Sequence, residues 1–200
     1  DQAEEGDEFG ASLTGGDFDN DSYTDLAVGV PREDVGRATD AGLVELFYGS
    51  GVGLRKMDSV GTPRATYWSQ NTAGIADTSE AGDRFGFSVA AGDFNGDGFR
   101  DLAIGAPFEQ LGTSLEAGTV HVLYGSLTGI GAAGSQVWNQ TVAALGQSTG
   151  LEDRFGFALA TGDFNGDGRS DLAIGVPGES QIGVQFVQKA GLVHIIHGSQ

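Results

Sequence analysis

The sequence predicts an all-β chain built of propeller blades, each a sheet of four antiparallel strands, and three observations carry that prediction. One nine-residue acidic loop is written three times in 200 residues. The elements flanking it recur in register in each copy. No stretch shows helical periodicity longer than about two turns. Repeats set the architecture and must be recognised before any single element is interpreted.

Each repeat opens on a Phe-Gly pair, Phe9-Gly10, Phe85-Gly86 and Phe155-Gly156, eight residues ahead of the loop. A short strand such as Phe87-Ser-Val-Ala-Ala91 then runs into the loop. The loops are Asp17-Phe-Asp-Asn-Asp-Ser-Tyr-Thr-Asp25, Asp93-Phe-Asn-Gly-Asp-Gly-Phe-Arg-Asp101 and Asp163-Phe-Asn-Gly-Asp-Gly-Arg-Ser-Asp171. A second strand, Asp101–Ala106 in the middle copy, leaves the loop and stops at Pro107, which cannot donate a ladder hydrogen bond. That proline closes a Gly-small-Pro triplet, repeated at Gly29-Val30-Pro31, Gly105-Ala106-Pro107 and Gly175-Val176-Pro177, always 14 residues from first Asp to Pro. A third strand, Thr119–Tyr124 in the middle copy, is rich in β-branched and aromatic residues and ends in a Gly-Ser turn. A fourth is predicted around Gln136–Gln140, with its counterpart at Thr66–Gln70. Four antiparallel strands per repeat, stacked side by side, make a propeller blade. The chain is thus one β-propeller region over 1–200, with repeat 1 at about 5–78, repeat 2 at about 79–150 and repeat 3 at about 151–200. The third repeat stops after its third strand.

With these motifs in register over nearly all of residues 5–200, the chain resembles the FG-GAP repeat family, the propeller of integrin α subunits and of many secreted proteins. The resemblance implies that the acidic loop joins the first two strands of a blade and binds calcium at the propeller's lower rim.

The loop chemistry points to the same ion. Three or four carboxylates in nine residues repel one another unless a cation sits among them. Calcium takes six to eight oxygen ligands in irregular geometry. Positions 1, 3 and 5 supply Asp17, Asp19 and Asp21; Asp93, Asn95 and Asp97; Asp163, Asn165 and Asp167. Position 7 offers the carbonyl of Tyr23, Phe99 or Arg169, and position 9 closes the cage with Asp25, Asp101 or Asp171. Gly98 and Gly168 at position 6 permit the positive φ of a tight turn. Loop 1 carries Ser22 there and Asn20 at position 4, so its turn is expected to be redistributed. An EF-hand needs an acidic residue at position 12 and flanking helices. Here Val28, Ile104 or Ile174 stands at that position between strands. Metal-free acidic turns would explain one copy, but three in register favour three structural Ca²⁺ sites. A catalytic ion wants an open coordination position beside an acid or base, and these loops supply neither in recognisable form.

Composition narrows the partners. The formal net charge is −18, of which three calcium ions would offset six. That balance argues against nucleic acid and against insertion into or adsorption on anionic membranes. There is no Cys, so the compartment argument rests on calcium: extracellular modules bind it at about 10⁻⁴–10⁻³ M, and cytosolic calcium would leave them empty. Extracellular or cell-surface residence follows as an expectation.

Among the remaining residues, Phe9, Phe85 and Phe155 are assigned to the core. Trp68 and Trp138 are placed in core or interblade packing, with a ligand-stacking surface as the alternative. Arg84 and Arg154 read as ion-pair partners, with Glu8 in their place in repeat 1. His121 and His194 read as packed or hydrogen-bonded, and His194 and His197 face opposite sides of a regular strand, which weakens a zinc pair. The segments Arg32–Asp40, Phe108–Glu116 and Gly178–Lys189 are candidate partner loops, the third three residues longer and apolar at Ile182, Val184, Phe186 and Val187. Three blades do not close a ring of four to eight. The chain is then either a piece of a longer propeller or a unit that self-associates. The expected function is a non-enzymatic, calcium-stiffened binding or adhesion module for a protein or glycan. The alternatives are the propeller of a secreted hydrolase, lyase or phospholipase with catalysis elsewhere, and a self-assembling fragment.

Overall fold

A computed structural model describes residues 4–55, 67–142, 149–182 and 186–199, and no helix occurs among them. Blade 1 contains β1 (Ser12–Gly16), β2 (Asp25–Val30), β3 (Leu43–Phe47) and β4 (Tyr67–Trp68). Blade 2 contains β5 (Ser88–Gly92), β6 (Asp101–Ala106), β7 (Thr119–Tyr124) and β8 (Gly131–Trp138). Blade 3 contains β9 (Ala158–Gly162), β10 (Asp171–Val176) and β13 (Leu192–Ile196), with a small hairpin of β11 (Gln181–Ile182) and β12 (Phe186–Val187) between the last two. The first two sheets run in chain order and the third pairs β9, β10 and β13. All pairings are antiparallel. The all-β, blade-forming prediction is met.

Register explains why the acidic loops are hairpin connections. Gly16 pairs with Asp25, Gly92 with Asp101 and Gly162 with Asp171. Each first strand therefore delivers the chain to position 1 and each second strand departs from position 9. The first strands β1, β5 and β9 are neighbours, and Thr161 on β9 donates its hydroxyl to the Ala91 carbonyl on β5 at 2.9 Å. The sheets fan out from that edge.

Two apolar layers fill the spaces between sheets. Phe18, Val44, Leu46, Trp68, Phe85, Leu102 and Ile104 are among those closing blade 1 on blade 2. Phe94, Val120, Val122, Phe155, Leu172 and Ile174 close blade 2 on blade 3. Burial at about 25 cal/mol per Å² of apolar surface drives the stacking, and backbone bonds fix it. The Phe85 N–H donates to Ala41 O and the Phe155 N–H to Ala117 O, at 2.8 and 2.9 Å. Arg100 N–H reaches Asp17 O and Ser170 N–H reaches Asp93 O, at 3.1 and 2.9 Å.

The triplet glycines make this approach possible. A Cβ on Gly29 would stand 2.0 Å from Gly86 O in the next blade, and one on Gly105 would stand 2.3 Å from Gly156 O. Only a residue without a side chain fits there.

Two expectations need correction. Phe9 is 61 % exposed, whereas Phe85 and Phe155 are fully buried, because the latter two are each covered by the blade before. The fourth strand of blade 2 begins at Gly131 rather than Gln136 and ends at Trp138. Its pairing with β7 shifts between Val122 and Tyr124, and beyond it Asn139 turns the chain, accepting the Thr141 N–H at 2.9 Å. In blade 1 the described part of that strand is Tyr67–Trp68; Thr66 lies outside the described residues, as does Val184 of the third loop.

Candidate metal centres

The three loops share one backbone. Positions 4 and 6 take left-handed φ in every copy: Gly96 and Gly98, Gly166 and Gly168, and in loop 1 Asn20 at 56° and Ser22 at 73°. The turn in loop 1 is therefore not redistributed. Its non-glycine residues adopt the same strained conformation, held in place by the carboxylates around it.

Position 1 organises each loop from inside. Asp93 Oδ1 accepts the N–H of Gly96 and of Asp97 at 2.7 and 3.1 Å, and its Oδ2 accepts Gly98 N–H at 3.0 Å. Asp163 repeats all three bonds with Gly166, Asp167 and Gly168. Asp17 accepts from Asp21 and Ser22. Position 5 accepts the N–H of position 7: Tyr23, Phe99 and Arg169, each at 2.9 Å. Position 3 differs. Asn95 and Asn165 accept the N–H of Asp97 and Asp167 and donate Nδ2 to those same carboxylates at 2.8 and 3.0 Å. In loop 1 the third residue is Asp19, and oxygens of Asp17, Asp19 and Asp21 all lie within 4.8 Å of one another.

Position 9 is the pivot between loop and sheet. Asp25 Oδ2 accepts Phe18 N–H at 2.8 Å and Oδ1 accepts Gly49 N–H at 2.7 Å. Asp101 does the same with Phe94 and Gly125, and Asp171 with Phe164 and Gly198. The glycine donors belong to the Gly-Ser turns after the third strands. Sequence reasoning placed those turns but assigned them no part in the site; their constant recurrence was the available signal. In Asp25 and Asp101 each oxygen keeps a second lone pair for a cation, whereas Asp171 Oδ2 also accepts Asn165 N–H at 3.2 Å and faces His197, which leaves Oδ1 the freer oxygen.

Burial pushes Asp25 up to about 6, with the charges of Asp19 and Asp21 adding to it against the two backbone bonds. Burial likewise raises Asp101 to about 6, with Asp97 and Asp93 adding. For Asp171 the same burial is outweighed by hydrogen bonds from Gly198, His197 and Phe164, and its carboxyl is held below the usual range. The His197 Nδ1 lies 3.2 Å from Asp171 Oδ2. A divalent cation inverts the upward shifts, since it favours the ionised form of every carboxylate facing it. The all-oxygen donor sets and the charge they concentrate fit a hard cation of the calcium type.

Other singled-out side chains have structural partners. His121 is wholly buried, its Nε2 3.3 Å from Thr119 Oγ1 and 3.5 Å from Asp77 Oδ2, its ring edge-on to Phe85. Burial pushes it down to about 4. His194 stacks beside Phe155. Trp68 is core, and Trp138 packs against the second apolar layer. Arg154 pairs with Glu116 at 2.6 Å, Glu8 with Arg32 at 3.0 Å, and the Arg84 guanidinium sits 4.4 Å over the Phe108 ring. A second acidic group, Glu80, Asp83 and Glu109, brings oxygens within 4.8 Å of one another away from the loops. A cleft of about 180 Å³ lies between blades 2 and 3, bordered by Tyr124, Trp138, Phe94 and Ile196.

A family model described as the FG-GAP repeat matches residues 9–44, 85–123 and 155–196, more than half of the chain. The chain belongs to the FG-GAP repeat family. It is 34 % identical over 169 residues to the phosphatidylinositol-glycan-specific phospholipase D of Bos taurus, covering 84 % of this chain and 18 % of that protein. It is 32 % identical over 196 residues to integrin alpha-PS2 of Drosophila melanogaster, covering 96 % of this chain and 12 % of the integrin. Integrin alpha-5 of Xenopus laevis is 33 % identical over 189 residues, with 90 % and 15 % covered. The chain thus spans less than a fifth of each of these relatives.

Proposed function

We propose that this chain is a calcium-binding extracellular propeller module whose ions are structural and whose loops meet a protein or glycan partner. One observation carries the reading: the three nine-residue hairpins repeat one turn with left-handed positions 4 and 6, organised by the carboxylate at position 1, and in loop 1 oxygens of Asp17, Asp19 and Asp21 lie within 4.8 Å of one another. The ligands assigned are Asp17, Asp19, Asp21, Asp25 and the Tyr23 carbonyl; Asp93, Asn95, Asp97, Asp101 and the Phe99 carbonyl; Asp163, Asn165, Asp167, Asp171 and the Arg169 carbonyl. Sites of the extracellular affinity class are filled only outside the cytosol, and the similarity to integrin α subunits agrees with a binding role. At calcium tenfold above Kd each site contributes about 1.4 kcal/mol, roughly 4 for three. Calorimetric titration of the chelated chain should find three ions, and raising calcium should raise its melting midpoint. A stoichiometry below two per chain sinks the reading.

The similarity to a phospholipase D favours a second possibility, a propeller that accompanies a catalytic domain. In either case the outer faces of blades 1 and 3 require cover, from further blades or from a second copy of the chain.

A further inference from the structure

Where blade 2 meets blade 3, three half-buried phenylalanines come together. Phe87 lies edge-on to Phe108 with ring centres 5.5 Å apart, and its ring centre is 4.8 Å from that of Phe157. Both arginines that precede a Phe-Gly pair lean on this cluster. The guanidinium carbon of Arg84 is 4.4 Å from the centre of the Phe108 ring and that of Arg154 is 5.3 Å away. The blade fold does not require these side chains. At the matching positions of blade 1 stand Glu8 for Arg84, Ala11 for Phe87 and Arg32 for Phe108, and the sheet has the same strand order.

The two arginines differ in their acids. Arg154 is neutralised by Glu116, whose Oε2 accepts Nε–H at 2.8 Å and Nη2–H at 2.6 Å. Asp40 is the counterpart of Glu116, since Arg84 N–H donates to the Asp40 carbonyl as Arg154 N–H donates to that of Glu116, at 3.2 and 3.0 Å. Its side chain is one methylene shorter, and among the described residues no carboxylate pairs with the Arg84 guanidinium. The Arg84 Nε is buried without a hydrogen-bond partner there, a state that is costly for a charged donor. In a chain with 28 acidic residues and 10 Lys and Arg, an arginine left without an acid stands out as a group held for something else.

We propose that Arg84, set against the Phe108 ring, binds the carboxylate of an Asp or Glu on a protein partner that carries an apolar residue beside it. The guanidinium offers the planar fork that a carboxylate takes in two parallel bonds. The phenylalanine rings offer apolar area to the neighbouring side chain. Leu115 and Leu151, both exposed, extend that area: Leu115 precedes Glu116, and its carbonyl accepts Glu152 N–H at 2.9 Å. With Arg154 neutralised by Glu116, one positive charge remains, which matches a single carboxylate and not a polyanion. More distant acids are screened beyond about 8 Å at physiological salt. A uronic acid carries the same carboxylate, but its hydroxyls would meet phenylalanine rings and a glutamate already engaged with Arg154. Such a site deepens, and rests on, the reading of the chain as a binding module, naming what its partner presents.

The test is an NMR titration of the isotope-labelled, calcium-loaded chain, following the Arg84 Nε–H. The probes are N-acetyl-glutamyl-phenylalanine amide, its glutaminyl analogue, glucuronate and inorganic phosphate. The glutamyl peptide should shift the Arg84 signal. Replacing its glutamate by glutamine, or Arg84→Ala, should each weaken binding at least about tenfold. Phe108→Ala should weaken it about fivefold. Equal affinity for the two peptides, unchanged binding in Arg84→Ala, no binding of the glutamyl peptide, or tighter binding of glucuronate or phosphate overturns the proposal. If Arg84→Ala does not fold, Arg84→Lys decides, since it keeps the charge and loses the fork: weaker binding than native supports the site and equal binding overturns it. Calcium stoichiometry is measured on the same sample. A chain that holds its ions and ignores the glutamyl peptide loses this site alone, and one short of ions loses the metal reading while the peptide result stands.

Discussion

Blades 2 and 3 share most of their sequence from Phe-Gly to the triplet, yet their side chains live in different surroundings. In blade 2 every residue of β6 and nearly every residue of β7 is buried, whereas β9 and β13 alternate with solvent. Phe94 and Phe164 occupy the same loop position, one 8 % and the other 55 % exposed. Blade 2 is clamped between neighbours and blade 3 has one. Burial in this fold is conferred by the next sheet, as in any quasi-one-dimensional stack, so identical motifs should differ in energetic weight according to their place.

One added methyl group should separate the blades most strongly. Gly29→Ala and Gly105→Ala push a Cβ to 2.0 and 2.3 Å from a backbone carbonyl of the next blade, with the hydroxyl of Ser12 or Ser88 at 2.2 or 2.3 Å as well. Loss of cooperative folding, or at least about 4 kcal/mol, is expected. Gly175 ends the same motif, but its nearest obstacle is at 3.4 Å. Gly175→Ala should stay within about 0.5 kcal/mol. Urea unfolding of the three variants checks the ordering; equal effects would mean that blade contact does not explain the triplet glycine.

A smaller effect is expected at the loop phenylalanine. Phe94→Ala removes a ring from the layer between blades 2 and 3 and should cost about 3–5 kcal/mol. Phe164→Ala should cost a small fraction of that, because most of its ring faces solvent. Covering the outer face of blade 3 with another sheet should bring the two values together.

Much of this was legible from the residues because the repeats are their own alignment. The loops, β6 and β7 were readable: a short apolar run bounded by Asp101 and Pro107 leaves little choice of ends. The fourth strand was not. Gly131-Ala-Ala-Gly134 carries no strand propensity and pairs only because Tyr124 and a register shift on β7 hold it. Phe9 was misplaced because a motif shared with Phe85 does not show whether a neighbour covers it. The acid group of Glu80, Asp83 and Glu109 was missed because a glutamate near a proline and a glutamine after a tryptophan gain meaning only when packing joins them across a blade boundary, as Gln70 Nε2 donates to Glu109 Oε2.

The mildest perturbation is pH, and it acts with opposite sign on Glu109 of blade 2 and Asp171 of blade 3. Burial, with the charges of Asp83 and Asp77 adding, pushes Glu109 up to about 8, and burial pushes Asp83 to about 6. Both folded values lie above the unfolded ones of 4.5 and 3.8. Their stability contribution is therefore complete below about pH 4 and is lost as pH rises through 6 and then 8. Asp171 in blade 3 is shifted down and contributes in the other direction, helping above its unfolded value and failing as pH falls. Glu109→Gln keeps an acceptor for Gln70 and removes the charge. Relative to the native chain it should gain up to about 4 kcal/mol at pH 8 and under about 1 kcal/mol at pH 5. Denaturation in chelator at both pH values measures the difference directly, since every other titrating group is common to the two proteins. A gain equal at both pH values would mean that Glu109 is already ionised at pH 5 and that the amide alone offsets its burial.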